Sequence, residues 1–292
     1  MIAASLPRRA QGRANTMHTP SKSLLKSGLL YAAIGAALLG GCAGPQPLGT
    51  DRIGAIVASP DRNAADRIND IRRKPAEMLA FIGVRPGMVA MDVSAARGYT
   101  TELIARAVGP TGKVYGQNAP RVEGRAPPAQ PEGAPAAAAA PANAPPPAPT
   151  LAERARNPAT SNIVVVSRPF EDPAPPEVAH GALDLVTLMF NYHDFGHMGI
   201  DRAKMNAAIF KALKPGGMYV IADHSGRSGT GIAESGTLHR VEEAFVRREV
   251  EAAGFRVAAQ GNFLRNPADP RDRNTPQPPM PKDEFVLKFV KP

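Results

Sequence analysis

The chain predicts an α/β protein: a mostly parallel sheet with an antiparallel last strand and helices on both faces. Three observations lead there. Apolar runs of strand length at 88–93, 113–118, 162–166, 183–190 and 218–222 alternate with stretches of helical character. Glycine–proline turns punctuate them, notably Pro86-Gly87, Gly109-Pro110-Thr111-Gly112 and Lys214-Pro215-Gly216-Gly217. The last two strands, 255–260 and 284–290, have no helix between them. They can therefore join antiparallel, because parallel neighbours need a longer crossover.

Residues 1–41 read as an address preceding this fold. Lys22 and Lys26 stand before the apolar run 29–39, which is shorter than the ~20 residues a membrane helix needs. Leu39-Gly40-Gly41-Cys42 resembles the lipobox of bacterial lipoproteins, which implies a signal peptide over 1–41 and lipidation of Cys42. The alternative is a buried helix that contains a cysteine. Under the lipobox reading Met17 is the more typical start. Ala43 then favours the outer membrane, and the product is lipid-anchored in the cell envelope, facing the periplasm. Residues 42–60 follow as a polar tether.

The folded domain is expected over 61–292. Residues 61–73 are helical in composition, and 74–82 form a second helix with Pro75 in its first turn. A strand at 88–93, a helix at 100–108 and a strand at 113–118 come next. An insertion then interrupts the pattern at about 121–150. Nine prolines and eleven alanines fall within 123–150, too little apolar bulk to bury a core. It is either an inert excursion or a proline-rich docking segment. A helix at 151–156 and strands at 162–166 and 183–190 resume the fold. A helix at 203–213, a strand at 218–222 and a long helix at 238–253 lead to the two closing strands.

Composition removes several classes of function. The 292 residues carry a formal charge of +9, but the first 41 hold five basic side chains and no acidic one. The remainder has 30 basic against 26 acidic groups, a net +4, which is a solubility charge and no nucleic-acid footprint. One cysteine rules out a disulfide framework. His193 and His197 are four apart, but Gly196 lies between them and no glutamate follows the first, so no metal is expected.

The segments 85–93, 213–220 and 241–255, in this order of elements, resemble class I S-adenosylmethionine-dependent methyltransferases. Asn191-Tyr192-His193-Asp194 and Ala222-Asp223-His224-Ser225 look similar to an exported subgroup of that family. The resemblance covers roughly 75–292 outside the insertion. It implies a Rossmann-like sheet, S-adenosyl-L-methionine as cofactor, and a small-molecule or envelope acceptor. The family's acidic residue after the first strand matches Asp92. Its glycines fall at 94, 96 and 98, where this chain has Ser94, Ala96 and Gly98. Its ribose-binding acid is replaced by Gln117 and Asn118. If 94 and 96 require left-handed backbone, each substitution costs ~1–2 kcal/mol, and donor affinity would fall. A dehydrogenase is disfavoured: its Gly-x-Gly-x-x-Gly and later acid are both missing.

At the end of the fourth strand, Asn191 and Tyr192 are expected to orient substrate, with His193 as base and Asp194 setting its tautomer. The alternative for His193 is a hydrogen-bonding cap on the strand end. Asp223 and His224 are second candidates, and His239 reads as structural or solvent-exposed. The degenerate loop, and a donor made in the cytosol, keep a second function open: a retired enzyme serving as a binding or scaffold module.

Overall fold

The computed structural model describes residues 46–120, 147–274, 276 and 280–292. The expected signal peptide (1–41), the lipidation site Cys42 and positions 121–146 of the expected insertion lie outside the described residues.

Seven strands make one sheet: β1 (Val89–Val93), β2 (Lys113–Asn118), β3 (Ile163–Ser167), β4 (Leu183–Met189), β5 (Leu213–His224), β6 (Arg256–Gly261) and β7 (Glu284–Val290), in the order β3-β2-β1-β4-β5-β7-β6. The first five pair in parallel, and β7 runs antiparallel to both its neighbours. This is the Rossmann-like arrangement expected. Strand order reverses between β1 and β4. In open α/β sheets the crevice at such a reversal, outside the carboxyl ends of the strands, is where ligands bind.

Period-two alternation divides the core between the two faces. Ala90, Val114, Leu185 and Val220 face one layer with Ile82, Ile104 and Val108. Met91, Val186, Tyr219 and Ile221 face the other with Met205, Ile209, Val246 and Val250. The first layer holds α1 (Thr50–Val57), α3 (Pro75–Ile82) and α4 (Tyr99–Val108); the second holds α7 (Arg202–Ala212) and α8 (Glu243–Ala252). Burial on both faces explains why the strands read as continuous apolar runs. No helix among the described residues is long and apolar enough to cross a membrane.

Two expectations need correcting. Residues 50–57 belong to the fold and are no tether. Ile53 and Ile56 share one stripe of α1, are 3% and 2% exposed, and pack into the first core. Fully burying each contributes roughly 1.5–3 kcal/mol. The helix expected over 238–253 begins only at Glu243, because His239 has a left-handed φ of 49°. Residues 239–241 instead run beside the end of β5. Val241 N–H donates to the His224 carbonyl at 3.1 Å, and Gly226 N–H donates to the Val241 carbonyl at 2.8 Å. Buried Arg240 anchors this path through Asp269 at 2.9 and 3.1 Å. The detour carries His239 to the carboxyl edge of the sheet.

Three further helices are α2 (Ala64–Arg73), α5 (Leu151–Arg156) and the short α6 (Asp194–His197) that follows β4. Helix α2 is capped by Asn63, whose side chain accepts from Ala65 N–H at 2.8 Å. It stops at Lys74, left-handed at φ 41°, because Pro75 disfavours a helical residue before it. Helix α5 opens with a capping box between Thr150 and Glu153.

Candidate active site

The loop after β1 fills the reversal point. Its backbone is left-handed at alternate positions: Ser94 at φ 57°, Ala96 at 50° and Gly98 at 86°. Only glycine adopts this conformation without strain. The strain at Ser94 and Ala96 is therefore already present in the protein as it stands, so it lowers folding stability and need not weaken ligand affinity. The condition attached to the expected loss of donor binding, left-handed backbone at 94 and 96, is met.

The loop is tied to the end of β2. Ser94 N–H donates to Gln117 Oε1 at 3.1 Å, while Gln117 Nε2 donates to the Arg168 carbonyl at 2.6 Å. Asn118 holds Ala96 at both ends, accepting its N–H at 2.8 Å and donating to its carbonyl at 3.1 Å. Gln117 is fully buried. These amides, expected to meet a ribose, instead build the loop. The Ser94 hydroxyl reaches across to Asn191 Oδ1 at the end of β4. Gly98 caps α4, and the back of the loop is closed by α5: Arg154 Nε donates to the Arg97 carbonyl at 2.7 Å.

Asp92 turns inward. It is 2% exposed and accepts from the hydroxyls of Thr101 at 2.6 Å and Thr187 at 2.7 Å. Burial pushes its carboxyl up to about 6, against the lowering effect of those two hydroxyls and of Arg73. The folded chain therefore holds this proton more tightly than the unfolded one. The associated stability is present below about pH 4 and is lost as pH rises through about 6. Two pH units correspond to roughly 3 kcal/mol. Urea titrations at pH 4 and pH 7 should show Asp92→Asn gaining on the wild type by an amount of that order at the higher pH. A difference that does not change with pH would contradict the assignment.

Beside the loop stands Arg73, which the sequence did not single out. Its guanidinium lies 4.7 Å from the ring centre of Phe190 and 5.1 Å from that of Tyr99. Its Nε is shut from solvent and has no hydrogen-bond partner, and burial together with Arg72 lowers its pKa to about 10. Phe190 itself has a strained φ of 60°. Arg73, Tyr99, Met189 and Phe190 line a cavity with about 20 Å³ of space, enough for one water. A larger cavity of about 300 Å³ lies elsewhere, lined by Arg168, Asp172, Pro176, His180 and Lys211.

Past β4, neighbouring residues part company. Asn191 faces the loop, and its Nδ2 donates to Asp194 Oδ2 at 2.7 Å. Tyr192 points into the second core, where its hydroxyl donates to Glu249 Oε2 at 2.8 Å and accepts from Asn206 Nδ2 at 3.0 Å. It is fully buried and cannot orient a substrate. His193 is 2% exposed between two carboxylates, with Nδ1 2.6 Å from Asp223 Oδ1 and Nε2 3.1 Å from Asp194 Oδ1. Burial opposes its charge, but Asp223 and Asp194 outweigh that and raise its pKa to about 10. As arranged, Asp223 and Asp194 occupy the two ring nitrogens, so neither nitrogen is open to a substrate proton, contrary to the expected base role. Asp223, rather than Asp194, holds Nδ1. Burial would raise Asp194, but His193 and His239 hold it down at about 2.

Four of the chain's six histidines gather here. His239 Nδ1 is 2.9 Å from Asp194 Oδ1, and His197 Nδ1 is 3.9 Å from the same oxygen. The His193 ring lies 5.2 Å from that of His224 and 5.7 Å from that of His239. Buried His224 has Nδ1 3.1 Å from Glu284 Oε1 but out of hydrogen-bond alignment, and burial pushes its pKa well below the usual range. His239 is thus a site residue that sequence reasoning placed among structural or exposed ones.

No protein-family model matches the chain, and no curated protein does. Among solved structures it is similar to a SAM-dependent methyltransferase from Aquifex aeolicus, at 16% identity over 84% of this chain and 100% of that one, TM-score 0.47. It is also similar to an arsenic(III) S-adenosylmethionine methyltransferase from Chlamydomonas reinhardtii, at 16% identity over 82% and 73%, TM-score 0.49. A third likeness is to Aeropyrum pernix fibrillarin in complex with natively bound S-adenosyl-L-methionine, at 17% identity over 71% and 68%, TM-score 0.41. The fold assignment stands on the strand order itself.

Proposed function

We propose that this chain is an S-adenosyl-L-methionine-dependent methyltransferase acting on a small-molecule or envelope acceptor. One observation carries the reading: left-handed backbone at 94, 96 and 98, at the carboxyl end of β1 beside the reversal in strand order. Serine and alanine tolerate that conformation at a cost of about 1–2 kcal/mol each. A fold keeps such strain where the loop's shape is used.

When bound, the donor supplies a methyl group on a sulfonium, transferred by in-line displacement, so positioning does most of the catalysis. The loop backbone would cradle the donor's adenosyl portion, with Asn118 and Asn191 at its rim. Arg73, a cation with a free Nε, fits the donor's carboxylate. Ser94 must release Asn191 for the crevice to open. Asn191 and Asp194 would face the acceptor. His193, bonded to carboxylates on both nitrogens, holds the shape of this edge and takes no proton. Acceptors that need no deprotonation suit such a site. Location in the envelope through a lipidated Cys42 remains part of the proposal.

A second reading has its own support. Every loop contact named above is satisfied within the protein, and the Ser94–Asn191 bond spans the crevice mouth, as in a domain retired to binding or scaffolding. Calorimetric titration of the full chain with S-adenosylhomocysteine separates the two. The enzyme reading expects saturable one-to-one binding, with none for a nicotinamide dinucleotide. No heat at millimolar ligand leaves the scaffold.

A further inference from the structure

We propose that His193, Asp194 and His239 form a binding site for a divalent transition-metal ion, zinc being the best match. Three donor atoms converge. Asp194 Oδ1 lies 3.1 Å from His193 Nε2 and 2.9 Å from His239 Nδ1, and the three ligating groups all stand within 4.8 Å of one another. Around a tetrahedral ion with bonds of about 2.0–2.1 Å, neighbouring donors are roughly 3.3 Å apart. Two of the three separations are already near this value and the remaining one lies within 4.8 Å, so the ion would take the place of the protons that His193 and His239 direct at Asp194, which pass to solvent.

The surroundings match a metal site as well as the donors do. A ligating histidine usually passes its other ring nitrogen to a carboxylate, which fixes the ring and its tautomer. His193 does so through Nδ1 and Asp223 at 2.6 Å. Asp223 is itself immobile: it is fully buried and also accepts the backbone N–H groups of His193 at 2.8 Å and His224 at 2.7 Å. Asn191 Nδ2 fixes the second oxygen of Asp194, leaving Oδ1 for the ion. The backbone is set too, since the left-handed φ at His239 aims its ring inward. His197 stands beside the cluster, its side chain 40% exposed and its Nδ1 3.9 Å from Asp194 Oδ1, which leaves room for a fourth ligand. Three protein ligands and one open position is the pattern of zinc sites that also hold water or substrate. Two imidazole nitrogens with one carboxylate favour zinc, cobalt or nickel over magnesium or calcium, which prefer oxygen alone.

This site does not depend on methyl transfer, and its test does not read activity. Untagged full chain, stripped with chelator, is titrated with zinc in competition with a chromophoric chelator, and in parallel with cobalt(II), whose visible spectrum reports ligand number and type. One equivalent should bind, with a tetrahedral or five-coordinate nitrogen–oxygen cobalt spectrum. His239→Ala, on a partly exposed side chain, should weaken zinc at least tenfold and change that spectrum. Asp223→Asn should weaken it roughly 10- to 100-fold. His180→Ala, outside the cluster, should leave both unchanged. Failure to bind one equivalent, or equal affinity in wild type and His239→Ala, overturns the proposal. S-adenosylhomocysteine binding, measured separately, tests the donor site alone.

Discussion

Replacing Arg154 by methionine is expected to destabilise the protein by about 3–5 kcal/mol, the usual result of leaving a buried charge without its partner. The side chain is 1% exposed and donates to both oxygens of Asp66, at 2.7 and 3.0 Å, as well as to Glu102. Asp66 is 3% exposed at its side chain, so the substitution strands a carboxylate out of water. Glu102 fares better because Arg106 remains 3.0 Å away. The double variant Arg154→Met with Asp66→Asn should recover most of the loss. Urea denaturation of both variants checks this, and similar instability in single and double variants would contradict it. The effect should reach the candidate site, because Arg154 also holds the Arg97 carbonyl behind the loop.

Gly98→Ala attacks the same clamp from the other side. A Cβ built there would lie 2.8 Å from Leu151 Cδ1 and 3.0 Å from Arg154 Cδ, and φ is +86°. Left-handed backbone costs about 1–2 kcal/mol and overpacking about 1–3 more. The variant should therefore lose roughly 2–5 kcal/mol. Gly83 supplies the control: it has φ +73° and nothing within 4 Å, so Gly83→Ala should show the backbone cost alone. Equal losses at the two positions would mean that α5 does not press on the loop. Together these variants make the helix after residue 146 the support of the loop, so the chain on both sides of the expected insertion is committed to the site. Arg97 adds to this by donating to the Ala148 carbonyl at 2.6 Å.

Much of this architecture was readable in the residues. The strands stood out because a sheet covered on both faces must be written as unbroken apolar runs between turn signals. The edges were harder. Helix α1 spans eight residues with Gly54 inside it, and its two isoleucines become meaningful only when α3 and α4 lie against them. His239 belongs to the site through a 45-residue separation from Asp194 and a left-handed turn, and neither leaves a local mark. Tyr192 went astray for the opposite reason. Its neighbours Asn191 and His193 do reach the crevice edge, but adjacent residues leaving a strand point to opposite faces. At the loop, the left-handed φ values fall at 94, 96 and 98, the positions where the resemblance places glycines. Serine and alanine concealed the glycine-like backbone, because composition predicts the opposite sign of φ there.

The loop after β1 is proposed to seat a sulfonium donor. Hydrogen-exchange mass spectrometry of the full chain, with and without saturating S-adenosylhomocysteine, tests it most directly. The expected result is slowed exchange centred on residues 94–98 and on 190–194 across the crevice. Unchanged exchange in both segments, or protection confined to the cavity around Arg168 and Lys211, would contradict it.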